Sequence, residues 1–158
     1  MRGTLGAARF LWLLPLTALA ACGPKHESQA ASVPAAAQAP APPPAPIDVQ
    51  LATENHSRIS GTAVLTAKGD STEIELTLHG GRSGSSYASH VHFGTCKKPG
   101  SVVVALGSVK EGRDRSGTIT KTVLTSTLDS ARTAHGSLLV QSHLANGKPA
   151  ACGEVPAT

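Results

Sequence analysis

Ser71-Thr72-Glu73-Ile74-Glu75-Leu76-Thr77-Leu78-His79 alternates apolar with polar side chains. Ile74, Leu76 and Leu78 share one side of an extended chain; Glu73, Glu75 and Thr77 share the other. A repeat of two is the strand repeat, because successive Cβ atoms point to opposite faces. One apolar face calls for a core on that side alone. Immediately before it, Lys68-Gly69-Asp70 reads as a turn and Gly61 to Lys68 as the partner strand. Further strands are expected at Ile47 to Thr53, Tyr87 to Phe93, Val102 to Leu106, Gly117 to Leu124, Ser137 to His143 and Ala150 to Val155. The apolar run Val102 to Leu106 predicts burial on both faces. Thr127 to Thr133 reads as one helical turn capped by Thr127. Eight short strands with Gly-rich turns predict an all-β fold, an eight-stranded Greek-key sandwich or flattened barrel.

Composition agrees and narrows the function. Aromatic residues make up 3% of the 158, so the core falls to Val, Leu, Ile and Ala, a set that suits β-structure. Residues 47–158 hold 11 basic and 9 acidic side chains. That balance is too even and too scattered for a nucleic-acid surface. A phosphate-cradling glycine loop, a Cys-x-x-Cys pair and a hydrolase serine elbow are all missing.

The chain opens with a leader. Arg2 and Arg9 form a basic segment ahead of an apolar stretch, Phe10 to Leu19, and small residues follow, which is the layout of a secretory signal over 1–21. Leu19-Ala20-Ala21-Cys22 resembles a bacterial lipobox. The resemblance implies cleavage before Cys22, lipidation of that cysteine and, with Gly23 behind it, sorting to the outer membrane facing the periplasm. Residues 22–46 then form an Ala/Pro-rich linker around Pro42-Pro43-Pro44, expected to be extended. His26 within it reads as solvated. The domain proper is expected at 47–158. With Cys22 given to a lipid, Cys96 and Cys152 remain. In an exported chain they are expected as one disulfide, two separate buried thiols being the alternative.

Chemistry concentrates in Ser89-His90-Val91-His92-Phe93-Gly94-Thr95-Cys96. Histidines at i and i+2 of a strand share a face roughly 6.5–7 Å apart, so two imidazoles can converge on one ion. His143 closes a later strand and is the third candidate ligand. Imidazole suits copper and zinc, and the affinity order favours copper. The competing reading makes all three structural, bonded to backbone carbonyls. His56, His79 and His135 read as solvated, and Tyr87 as packing.

These motifs resemble the Cu/Zn superoxide dismutases. His90-Val91-His92, Gly94 and Cys96 look like that family's copper strand and first disulfide cysteine. Leu138 to His143 looks like its penultimate strand, and Ala151-Cys152-Gly153 like its second disulfide cysteine. The resemblance implies a copper site at His90, His92 and His143. Departures are equally specific. The long loop that brings the bridging histidine and the zinc ligands is replaced by Lys97 to Ser101, so no zinc site is expected. Pro149 stands where the family has an anion-binding arginine, leaving Lys148 as a possible anion guide. Gln141 sits where the late ligand might fall, with His143 two residues on and of the same parity. A His-x-His strand and a late His before Gly153-Glu154 also resemble chordin-type domains. The expectation is a lipid-anchored, copper-binding, dismutase-like envelope protein with little or no catalysis. The alternatives are a copper-only dismutase, converting superoxide to oxygen and hydrogen peroxide, and a metal-free chordin-type interaction module.

Overall fold

A computed structural model of the chain describes residues 42–157. The leader, Cys22, His26 and most of the linker lie outside the described residues. Residues 42–46 are exposed and carry no regular structure. Then follow β1 (Ile47–Thr53), β2 (Ser60–Lys68), β3 (Ser71–His79), β4 (Ser86–Thr95), β5 (Lys98–Lys110), β6 (Ser116–Leu124), α1 (Thr125–His135), β7 (Leu138–His143) and β8 (Pro149–Val155).

The alternation in β3 works as read. Thr72, Ile74, Leu76 and Leu78 are buried and the residues between them are not. In the antiparallel ladders Leu76 stands opposite Ala63 of β2 on one side and Ile119 of β6 on the other. Opposed residues share a face, so each inward position of β3 places its neighbours inward too. Val49, Leu51, Leu65, Val91, Val109, Leu138 and Val140 close the same core.

All eight strands are antiparallel, in the order β5-β4-β7-β8-β1-β2-β3-β6. Two halves meet at a thin seam, where β1 pairs β8 only through Ala52 with Cys152 and Thr53 with Ala151. The two ends of the order, β5 and β6, lie against each other without a ladder, so the sheet is a nearly closed barrel. Consecutive strands β5 and β6 thus sit at opposite edges, and β7 returns through α1 to lie beside β4. These long returns are Greek-key connections. Cys96 and Cys152 form the disulfide, with Cα atoms 5.9 Å apart, tying the β4–β5 turn to β8.

Two local expectations need correction. The strand at Val102 to Leu106 is the middle of a 13-residue strand. It is not buried on both faces: β5 is an edge strand and Val102 is 49% exposed. The single helical turn is a helix of 11 residues. Its N-cap position is Leu124, with no side-chain cap, and Thr127 lies inside the helix. Thr125 instead anchors the first turn, its N–H donating to the Asp70 carbonyl and its hydroxyl bonding that of Thr72. Arg132 and His135 occupy the last turn, where cations suit the negative end of the helix dipole.

Candidate metal centre

Strand parity puts His90 and His92 on the outer face of β4, while Tyr87, Ser89 and Val91 are buried on the inner one. The β4–β7 ladder supplies the third ring. It pairs Ala88 with His143, His90 with Gln141 and His92 with Leu139, so His143 shares the outer face. Ring centroids are 5.7 Å apart for His90 and His92, 5.3 Å for His90 and His143, and 5.7 Å for His92 and His143. One ring nitrogen from each lies within 4.8 Å of those of the other two. Two ligands on one ion at ~2.1 Å stand at most about 4.2 Å apart. A small rotation of the rings closes the difference.

Two of the rings are held from behind. His92 Nδ1 lies 2.9 Å from the Gly100 carbonyl, and His143 Nδ1 lies 3.1 Å from that of Gly147. A carbonyl only accepts, so Nδ1 carries the proton in both, and each Nε2 keeps its lone pair. Both Nε2 atoms are buried and have no partner within the protein, as is Nδ1 of His90. Leaving a buried polar atom unpaired costs roughly 1–3 kcal/mol. The carbonyl bonds of His92 and His143 are those the structural reading expects, while one unpartnered nitrogen on each of three clustered rings is a good fit for a cation. The carbonyls are the outer contacts that orient imidazole ligands in metal sites.

The electrostatics favour the same protonation state. His90 titrates below its ordinary value, first because burial penalises the imidazolium, then because His143 and His92 would repel it. A neutral ring is the ligating form. A shallow cleft of about 480 Å³ opens over the rings, bordered by Ala88, Val102, Ser108 and Leu144.

Other sequence candidates fall out differently. Lys148 is exposed in the β7–β8 turn and does not border this cleft. Gln141 is 2% exposed, opposite His90 in one ladder and Cys152 in the next, with Nε2 unpartnered. Tyr87 is core, as read. His56 and His79 are exposed. His135 is exposed but not merely solvated: it stacks on Phe93 at 3.9 Å. The carbonyls of Gly100 and Gly147 were not among the sequence candidates. Asn146-Gly147 is a turn signal that would have located the second.

The chain matches no family model, and no curated protein matches it.

Proposed function

We propose that this chain is a copper-binding, superoxide dismutase-like envelope protein, with His90, His92 and His143 as the ligands. The observation that carries this reading is the cluster of three histidines, each bringing one ring nitrogen within 4.8 Å of the other two and each holding one buried, unpartnered ring nitrogen. Imidazole donors suit copper, which stands highest in the divalent affinity order. Copper supplies one-electron chemistry when bound. The protein's own part is to hold three neutral rings in fixed tautomers and to leave a cleft on their open side. The dismutase-like character rests on the resemblance of His90 to Cys96, Leu138 to His143 and Ala151 to Gly153, together with the eight-stranded disulfide-linked barrel. The lipobox-like Leu19 to Cys22 supports a lipid anchor on Cys22 and a place on the outer membrane, facing the periplasm.

The test is copper titration of the purified full chain, followed by superoxide consumption. One equivalent bound, lost in His90→Ala, with turnover no faster than free copper in buffer, supports the proposal. Turnover well above that level would make the chain a copper-only dismutase. Failure to bind copper would leave the chordin-type interaction module.

A further inference from the structure

The larger cleft is not the one over the histidines. At one end of the barrel the segments 54–59, 80–85, 111–115 and 144–148 come together. They enclose a depression of about 1040 Å³ whose wall carries Arg58, Arg82, Arg115 and His56. It meets the smaller cleft at Ser86, Leu144 and Ala145, which border both.

Three arginines lining one cleft make it electropositive and suited to an anion. Among the described residues the ion pair within 4.0 Å is Lys68 with Glu73, so no carboxylate neutralises these arginines at that range. Arg115 is fixed, its Nε donating to the Gly81 carbonyl at 2.9 Å and its Nη2 to that of Gly80 at 2.8 Å. Arg58 and Arg82 are exposed. Beneath the wall, Glu111 is 1% exposed; one oxygen accepts the Gly81 N–H and the other has no partner. Asp114 is turned to its own loop, accepting the Ser116 N–H. The rim is also costly to hold. His56, Arg58 and Arg115 have φ of 55°, 66° and 60°, a left-handed conformation uncommon outside glycine. Such residues gather where a loop is shaped for binding.

We propose that this cleft binds a small phosphate-class oxyanion. Guanidinium forks match the paired oxygens of phosphate, and the hydroxyls of Ser83 and Ser86 lie on the same wall as further donors. Arg58 and Arg82 are the grips and Arg115 the fixed backstop. Three guanidinium forks offer more paired donors than one phosphate can engage, so a linked pair of phosphoryl groups is the expected ligand. The proposal is independent of any metal at the histidines.

The experiment is calorimetric titration of the metal-free full chain at low salt with inorganic phosphate and with pyrophosphate. Pyrophosphate is expected to saturate one site, at least tenfold tighter than phosphate. The double variant Arg58→Gln/Arg82→Gln, with unchanged circular dichroism, is expected to weaken it at least tenfold. Lys97→Gln/Lys98→Gln removes the same charge at the β4–β5 turn and is expected to change affinity less than twofold. Heat that does not saturate overturns the proposal. So does an equal loss in the two double variants, which would mean net charge alone is being read.

Discussion

Removing the disulfide should cost the domain about 4 kcal/mol, and the structure says why the number is large. Cys96 and Cys152 are 56 residues apart in sequence, and the bridge encloses β5, β6, α1 and β7. Chain entropy for a loop of that length gives about 14 cal/mol/K, or roughly 4 kcal/mol at 25 °C, most of it a restraint on the unfolded chain. The suitable variant is Cys96→Ser/Cys152→Ala. Cys96 is half-exposed and tolerates a hydroxyl, whereas Cys152 is 3% exposed and would bury one unpaired. In urea, with a slope of about 1–2 kcal/mol/M for a domain of this size, the midpoint should fall by about 2–4 M. The slope itself should rise, because the unlinked chain expands further when unfolded. The same loss lowers the thermal midpoint by about 17 °C for roughly 110 residues. A midpoint shift below about 0.5 M, measured by circular dichroism in both forms, would refute the reasoning. It would mean that residual structure in the unfolded chain already keeps residues 96 and 152 close.

Three smaller perturbations probe other links. Leu76→Ala empties the centre of the core, where Leu76 is 0% exposed, and should destabilise by about 3–4 kcal/mol in urea. Gly94→Ala should cost about 2 kcal/mol or more, since φ is 99° there and an added Cβ would sit 2.6 Å from the Lys98 carbonyl oxygen; unchanged urea stability would contradict the turn geometry. In the metal-free chain, proton NMR should find His90 titrating below 6.5. The unfolded chain then binds the extra proton first, so this contribution to stability is present above pH 6.5 and is lost as pH falls through the folded value. A midpoint at or above 6.5 would be inconsistent with a ring set among two others.

The architecture was legible wherever side-chain pattern follows backbone pattern. Ile74, Leu76 and Leu78 alternate because β3 has neighbours on both edges and a core on one face. His90 and His92 were legible as a pair for the same reason of parity. His143 was legible only as a candidate, because its convergence depends on β4 lying beside β7, a pairing made across β5, β6 and α1. The arginine cleft escaped the sequence altogether: its residues come from separate loops with no shared spacing. Backbone carbonyls leave no mark on composition, which is why Gly100 and Gly147 were missed.

The misread strand and the histidine site have one cause. Ten residues of β4 face 13 of β5, with register shifts at Ser89/His90, Val91/His92 and His92/Gly94. Extra residues break the period of two, so only Val102 to Leu106 looked like a strand. Between the pairs His92 with Val102 and Gly94 with Pro99, β4 contributes Phe93 alone and β5 contributes Gly100 and Ser101. In a regular ladder the Gly100 carbonyl would be spent on an inter-strand bond. A bulge leaves a residue unpaired and re-aims it, and this one presents the carbonyl to His92 Nδ1. Glycine leaves room there for the Phe93 ring, which an added Cβ would meet at 2.1 Å and displace. His135 stacks on that ring and so helps hold the bulge from α1. The irregular edge therefore sets the tautomer of His92, and through it which nitrogen is left free; straightening β5 would turn a candidate ligand into an ordinary strand histidine.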